Sequence, residues 1–301
     1  MTGMSNRTYG IILVTLAAFC WSIAGLFMRM LDLDVWTILV WRSIFGSAAL
    51  WLVVLWQNRR RGEAGVPDVL PATAAIPFSW PGIAAIALST ISMVSYITAL
   101  KLTTVANVLA IYATIPFVCV GLAWLWLGEK IDRRVLAASS VAFLGVLVVA
   151  GFAARPEDVL GNLMAFSMTL SFSIMVIMAQ RYPGMDMAKA NAIGCMVCAL
   201  ICWPMMSGVV PSHSEVALLA GFGITSTALA YMLFLTGGRH IPPGEAGLIA
   251  LLDVVLGPLW VWLAFSEEPG LATAIGSGLI LSAVVWYLWA SLRSARIALP
   301  G

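Results

Sequence analysis

Asp253 is the residue best placed to do chemistry, because it is the only carboxylate near the centre of a long apolar run. If that run crosses a bilayer, a charge at its centre costs at least about 2.5–3.5 kcal/mol. Such a residue either faces a wet cavity or is protonated through desolvation. A functional Asp253 would hold a substrate ammonium group or carry a coupling proton. The alternative is a neutral, hydrogen-bonded packing residue.

Hydroxyl and aromatic side chains near the centres of other apolar runs form a second group of candidates. Hydroxyls offer polar contacts at depth, and aromatic rings can stack on a flat or apolar substrate. Each group also has a structural alternative. Hydroxyls in membrane helices donate hydrogen bonds to backbone carbonyls one turn earlier or hold neighbouring helices together, and aromatic rings are often packing residues or interface anchors. The predicted substrate-binding residues are Trp21, Ser22, Ser92, Tyr96, Tyr112, Ser173, Thr227, Tyr231, Asp253 and Trp260.

Ten apolar segments carry these residues. The chain is 61% hydrophobic and only 10% charged, whereas soluble domains contain about 25% charged residues. Each segment approaches the ~20 residues that a helix needs to cross a membrane. The sequence therefore predicts an all-α membrane protein. Its ten transmembrane helices, called spans 1 to 10, are 9–29, 35–56, 82–100, 105–127, 135–152, 161–180, 189–209, 215–236, 243–265 and 271–290.

The distribution of Lys and Arg predicts the orientation of these spans. Twelve of the sixteen basic residues lie on the side of the N-terminus. Basic residues accumulate on the cytoplasmic side of membrane proteins. We therefore expect a multi-pass protein of the cell (inner) membrane with both termini in the cytoplasm.

The second half of the chain repeats the first. The shift in numbering that places Thr98 on Thr236 also places Lys101 on Arg239, within matching stretches at 96–130 and 234–268. Five crossings are an odd number, so the second unit enters the membrane from the opposite side. We expect two inverted five-helix repeats, 1–152 and 153–301. Polar residues near the middle of spans 1, 3, 6, 8 and 9, together with the repeat relation of span 4 to span 9, predict a midplane cavity lined by these six spans.

Three further residues inside spans need an interpretation. Pro116 and Pro258 each remove a backbone hydrogen bond, so both are predicted helix kinks; a static bend is the alternative. Arg42 lies seven residues into span 2, where its side chain can reach the outer surface. We expect a structural role for Arg42, in association with Asp32 or Asp34, and substrate binding is the alternative.

Several classes of protein are disfavoured by what the sequence lacks. It has no phosphate-binding G-x-x-x-x-G-K-[ST] loop and no H-E-x-x-H motif. Cys195, Cys198 and Cys202 share a helix face, but no His or carboxylate accompanies them, so no metal site is expected. The net charge of +2 gives no indication of nucleic-acid binding. We expect no cofactor, and we expect a protein that is not an enzyme.

The ends of the two repeats carry a family resemblance. The segments LWLGEKIDRRVLAASSVAFLGVLVVAG at 125–151 and FSEEPGLATAIGSGLILSAVVWYL at 265–288 resemble the EamA repeat of the drug/metabolite transporter superfamily. The segment WRSIFGSAAL at 41–50 looks like that family's second-helix arginine motif. Pro116, Glu129 and Glu267 match the family pattern, whereas Val254 stands where the family often has proline. Within that superfamily, the chain resembles the YddG-type bacterial amino-acid exporters.

The resemblance implies a secondary active or facilitative transporter that exports small metabolites by alternating access through the bilayer. Amino acids, aromatic and other neutral ones, are the implied substrates. A drug, nucleotide-sugar or phosphate-ester carrier is the alternative within the superfamily. The lack of Lys or Arg at the span centres argues against a phosphate substrate. A lipid-modifying intramembrane enzyme is the alternative from another class. The sequence predicts neither the coupling ion nor the oligomeric state.

Overall fold

The computed structural model describes residues 6–63, 79–103, 105–150, 159–266 and 270–297, and every regular element in these ranges is helical. Glu267, the predicted boundary between the halves at 152 and 153, and both chain termini lie outside the described residues. The α-helices are α1 Asn6–Ser22, α2 Ala24–Met30, α3 Val35–Glu63, α4 Trp80–Leu102, α5 Val105–Tyr112, α6 Ile115–Leu122, α7 Arg133–Ala150, α8 Val159–Arg181, α9 Met187–Cys202, α10 His213–Phe222, α11 Ala230–Gly238, α12 Pro243–Ala250, α13 Leu252–Phe265 and α14 Leu271–Ile297.

The helices account for the predicted spans, several of them as pairs. α1 with α2 forms span 1, α5 with α6 forms span 4, α10 with α11 forms span 8, and α12 with α13 forms span 9. A π-helical turn, Ala123–Leu127, ends span 4, and another, Gly223–Leu229, joins α10 to α11. Nine spans in the described ranges are long and apolar enough to cross a membrane. The all-helical membrane fold is therefore confirmed.

One of the ten predicted spans, span 5, is not among the helices of the described ranges that are long and apolar enough to cross a membrane. It corresponds to α7, which has 18 residues, begins with Arg133 and Arg134, and is not among the nine. α7 packs along α14, the last span of the chain, as a membrane helix of the bundle would. The count of ten transmembrane helices stays a prediction.

The two halves pack through matching pairs of helices. α1 of span 1 packs against α11 of span 8, and α8 of span 6 packs against α4 of span 3. α3 contacts the π-helical turn of span 8, while α9 contacts α4 of span 3. Spans 2 and 7, 4 and 9, and 5 and 10 pack against each other. Each pairing agrees with a symmetry that relates span n to span n + 5.

Two glycines mark equivalent close crossings in this arrangement. A side-chain carbon at Gly46 of α3 would lie 2.7 Å from Cβ of Thr227, and one at Gly194 of α9 would lie 2.7 Å from Cβ of Ser89. The shift that relates the two sequence repeats also carries Ser89 onto Thr227. Membrane helices lack a hydrophobic drive to associate, so small residues at the crossings allow the close packing that replaces it.

Spans 4 and 9 are each broken near the middle. The first break separates α5 from α6 at Ala113 and Thr114, and the second separates α12 from α13 at Leu251. The repeat shift carries Ala113 onto Leu251, so the breaks occupy equivalent positions in the two halves. At both breaks a backbone N–H donates to the carbonyl three residues earlier. The amide nitrogen of Thr114 lies 3.0 Å from the carbonyl oxygen of Ile111, and the amide nitrogen of Leu251 lies 3.2 Å from that of Leu248. The helix tightens for one turn before it continues.

Only one of the two prolines lies at a helix break. Pro116 lies in the first turn of α6, directly after the first break. Pro258 does not mark the second break, because Leu251 lies seven residues earlier and α13 runs continuously through Pro258. The kink at Pro258 stays a prediction, and the break in span 9 lies elsewhere. Its cause is the tight turn at Leu251, where the N–H of Val254 also bonds only three residues back.

Candidate functional site

A cavity of about 290 Å³ lies between the two halves of the bundle. Spans 1, 3, 4, 6, 8 and 9 all contribute to its wall, which agrees with the sequence prediction. Span 2 contributes as well, through the first two turns of α3. The site therefore involves one more span than the six that the sequence predicts.

Seven of the ten predicted binding residues line this cavity. They are Trp21, Ser92, Tyr96, Tyr112, Thr227, Tyr231 and Asp253. Among the residues described, Ser22, Ser173 and Trp260 fall outside the lining. Substrate binding by any of the ten stays a prediction.

The three residues outside the lining take structural roles. Ser173 is fully buried and donates to the carbonyl of Thr169, one turn earlier, at 2.8 Å. Ser22 donates to the carbonyl of Phe19 at 2.7 Å and accepts a hydrogen bond from Nε1 of Trp260 at 2.8 Å. These hydrogen bonds account for the three side chains without the cavity, because the depth of a residue along its helix does not determine which way it faces.

Asp253 lies where the two broken spans meet. Its Oδ2 accepts a hydrogen bond from the hydroxyl of Tyr112 at 3.1 Å. Tyr112 is the last residue of α5, and Asp253 is the second residue of α13, so the bond connects the two helix breaks. The other oxygen, Oδ1, is buried and has no hydrogen-bond partner in the described part of the chain. Asp253 thus has one acceptor available to a cationic ligand.

Asp34 lies at the start of α3 and engages partners other than Arg42. Its Oδ1 accepts the backbone N–H groups of Trp36 and Thr37 at 3.0 and 3.1 Å, which caps the helix. Its Oδ2 accepts from the Ser207 hydroxyl at 2.6 Å. Partial burial opposes ionisation, but the hydrogen bonds from Ser207 and Thr37 outweigh it and lower the pKa of Asp34 to about 2.

Arg42 lines the cavity, so the predicted association with Asp32 or Asp34 is wrong. Eight residues separate Asp34 from Arg42, which is about 12 Å along the helix. The guanidinium carbon of Arg42 lies 5.0 Å from the ring centroid of Phe222, a second lining residue. The sequence signal that marks Arg42 is its position in the second-helix arginine motif, rather than its depth.

An aromatic wall completes the cavity. Trp21 and Phe172 pack edge to face with centroids 5.7 Å apart, and Phe172 packs the same way against Tyr231 at 6.3 Å. The indole N–H of Trp21 donates to the carbonyl of Ser226 at 3.0 Å, which fixes the ring. Sequence reasoning missed the lining residues Phe172 and Phe222, because single aromatic residues in membrane helices are usually packing residues.

The described residues close the end of the bundle at which α1 begins. Arg7 forms an ion pair of 2.7 Å with Glu245 between α1 and α12. Nε2 of Gln180 donates to the carbonyls of Gly238 and Ile241 at 2.6 and 2.9 Å. The layer above these contacts is packed with buried apolar residues, including Val14, Met178, Phe234 and Ile249.

The cavity extends toward the opposite end. Its lining takes the last turns of α2 and α4, through Met28 and Leu100, and the first turns of α3 and α5, through Val35 and Val108. These turns all lie at the end of the bundle remote from Arg7. The structure therefore holds its cavity on one side of the midplane and a sealed layer on the other.

Comparison with known proteins agrees with this architecture. The model of the EamA-like transporter family matches twice, at residues 8–151 and 159–289. An uncharacterized transporter of Archaeoglobus fulgidus is 24% identical over 283 residues, 92% of this chain and 95% of that protein. The pseudopaline exporter CntI of Pseudomonas aeruginosa is 26% identical over 287 residues, 92% of this chain and 94% of that protein.

The fold is also present among solved structures. One crystal structure superposes with a TM-score of 0.79 at 20% sequence identity, covering 96% of this chain and 99% of that one. The likeness at that identity concerns the fold alone. The two family-model matches together cover nearly all of the sequence. This chain belongs to the EamA-like transporter family.

Proposed function

We propose that this transporter exports small metabolites, and specifically neutral and aromatic amino acids, by alternating access. The observation that carries the proposal is Asp253, a cavity carboxylate with one oxygen lacking a partner among the described residues. A substrate ammonium group would supply the missing donors through a charge-assisted hydrogen bond. Trp21, Tyr96 and Phe172 provide apolar surface for the rest of such a substrate.

The size of the cavity favours amino acids over the alternatives within the superfamily. Its volume of about 290 Å³ is at the lower limit of small-molecule sites, which range from about 300 to 1,000 Å³. A nucleotide sugar or a large drug would need more space. The lack of Lys or Arg at the span centres no longer argues against phosphate esters, because Arg42 lines the cavity. Asp253 does argue against them, because its negative charge would repel a phosphate dianion.

Alternating access follows from the proposed relation of the halves, 1–152 and 153–301, as inverted repeats. The matching helix pairs and the equivalent breaks at Ala113 and Leu251 support it. With the N-terminus in the cytoplasm, the sealed layer is the cytoplasmic gate, and the cavity opens outward. Asp253 is also the residue available to carry a coupling proton.

The orientation gives the first prediction. Single cysteines introduced at positions 65 and 157 are expected to report opposite sides of the membrane, because the basic residues mark the side of position 65 as cytoplasmic. A membrane-impermeant thiol reagent applied to intact cells should label position 157 only. Labelling of position 65 and not of position 157 would reverse the orientation and turn the cavity toward the cytoplasm.

The substrate class gives the second prediction. Proteoliposomes that contain the purified protein and one unlabelled amino acid inside should accumulate the same labelled amino acid by counterflow, at least ~10-fold above protein-free liposomes. A panel should give the strongest signal for neutral and aromatic amino acids. Nucleotide sugars and phosphate esters serve as comparison substrates. Counterflow with these and with no amino acid would disprove the proposed substrate, and product formation in detergent would favour the lipid-modifying enzyme.

A further inference from the structure

Arg42 presents a permanent positive charge to the cavity. Arginine stays protonated at all physiological pH values and offers five N–H donors. Nε of Arg42 is buried without a hydrogen-bond partner, and the guanidinium forms neither a hydrogen bond nor an ion pair within the described ranges. It lies instead over the face of the Phe222 ring. Charged residues inside membrane spans normally pair with another group or face a functional cavity.

Arg42 shares its cavity with a charge of the opposite sign. Both Arg42 and Asp253 line it. In the described structure no contact within 4.0 Å joins the guanidinium to the carboxylate. Each charge therefore keeps its capacity for a ligand group. A cavity with separate positive and negative groups is complementary to a molecule that carries both charges.

We propose that Arg42 binds the carboxylate of the substrate while Asp253 binds its ammonium group, so that the site selects zwitterions. This inference rests on the proposed amino-acid transport and adds the rule by which substrates are chosen. The planar fork of arginine matches a carboxylate with two parallel hydrogen bonds. An analogue that lacks either charged group leaves one partly buried charge of the protein unpaired, and sites of this type reject such analogues strongly.

The test measures binding directly, so that slow transport by a variant does not obscure it. L-Phenylalanine, L-phenylalaninamide and N-acetyl-L-phenylalanine are each titrated into the purified full-length protein, and the concentration for half-maximal rise in Tm is recorded. The amide lacks the carboxylate, and the N-acetyl compound lacks the ammonium group. In the wild-type protein both analogues should require at least ~10-fold higher concentrations than phenylalanine.

Two substitutions should then separate the two ends of the site. In Arg42→Gln the amide and the amino acid should bind within about 2-fold of each other, while rejection of the N-acetyl compound persists. Asp253→Asn should give the converse. Arg42→Lys keeps the charge without the fork, so an intermediate ratio is expected for the amide, and this variant also serves if Arg42→Gln does not fold. Arg29→Gln, an exposed arginine at the same end, should match the wild type.

The outcomes that overturn the inference are distinct from failure of the proposed function. If Arg42→Gln weakens binding of all three compounds equally, or leaves the amide as strongly rejected as before, Arg42 is structural and the zwitterion rule is wrong. Amino-acid transport would survive that result. If neither phenylalanine nor any amino acid of the counterflow panel stabilises the wild-type protein, the proposed function fails, and the inference fails with it.

Discussion

Asp253→Asn is expected to lower the initial rate of amino-acid flux by ~10-fold or more while the protein remains folded. Asparagine keeps the size of the side chain and can still accept the hydrogen bond from Tyr112, which is 3.1 Å long in the structure. It removes the negative charge, and a charge-assisted hydrogen bond to a substrate ammonium is worth about 1.5–3 kcal/mol. Losing a partly buried charge relieves desolvation, so folding should not suffer.

The measurement is initial flux in proteoliposomes with matched protein incorporation, from pH 5.5 to 8. A coupling role for Asp253 predicts that the variant also loses the pH dependence of the wild type, whereas ammonium binding alone predicts a lower rate with an unchanged profile. Tyr112→Phe is the matched comparison, because it removes the hydrogen bond to Oδ2 and leaves the charge. It should cost less than Asp253→Asn, under ~10-fold, because the carboxylate that binds the substrate ammonium group remains.

Equal flux and equal pH profiles for the wild type and Asp253→Asn would contradict this expectation. Asp253 would then be a packing residue that holds the breaks of spans 4 and 9 together through Tyr112. The substrate would have to be bound by Arg42, hydroxyls and aromatic rings. If Asp253→Asn lowers both flux and thermal stability, Asp253 is again structural, because the charge then stabilises the fold and does not specifically bind the substrate.

The helical bundle was accessible from sequence because membrane helices obey simple constraints. A segment must be apolar, about 20 residues long, and closed at each end by charges, proline or glycine. The polar residues indicated five of the seven lining spans, and the repeat relation added span 4. Hydroxyls at depth are costly unless they reach water or a partner, so their concentration on particular spans carries real information.

The direction of each side chain could not be obtained in this way. Ser22 and Ser92 have similar depth and chemistry, yet Ser92 lines the cavity and Ser22 bonds to Phe19 and Trp260. Successive residues of a helix point about 100° apart around its axis, so a small rotation of the helix decides whether a side chain faces the cavity or a neighbouring helix. The packing of the neighbouring helices fixes that rotation. The same limitation applies to Arg42, whose position near one end of span 2 was compatible with both the outer surface and the cavity.

The break in span 9 illustrates a second limit. Proline is the usual sequence signal for a broken helix, and Pro116 fits that rule in span 4. The equivalent break at Leu251 has no proline near it, and Pro258 lies within continuous helix. Repeat symmetry is the better guide here, because the shift that relates the two halves moves Ala113 to Leu251. The helix break at Leu251 is therefore present without the proline that would mark it in the sequence.

Arg7→Met is expected to destabilise the protein by about 3–5 kcal/mol, because it leaves the carboxylate of Glu245 without its cation. Glu245 is fully buried at 0% exposed, its Oε1 lies 2.7 Å from Arg7, and its Oε2 has no partner in the described residues. Breaking a buried pair costs far more than breaking an exposed one. Thermal unfolding of the purified protein at pH 7 should show a large fall in Tm.

Two further variants decide whether the buried charge is the cause. Removing both charges in Arg7→Met with Glu245→Gln should restore most of the lost stability, because no uncompensated charge then remains in the sealed layer. Lys189→Met breaks the ion pair of 3.3 Å with Asp186, in which both side chains are partly exposed, and should cost under about 1 kcal/mol. If Arg7→Met costs no more than Lys189→Met, or if the double variant is as unstable as the single one, the Arg7–Glu245 pair does not hold the sealed end together.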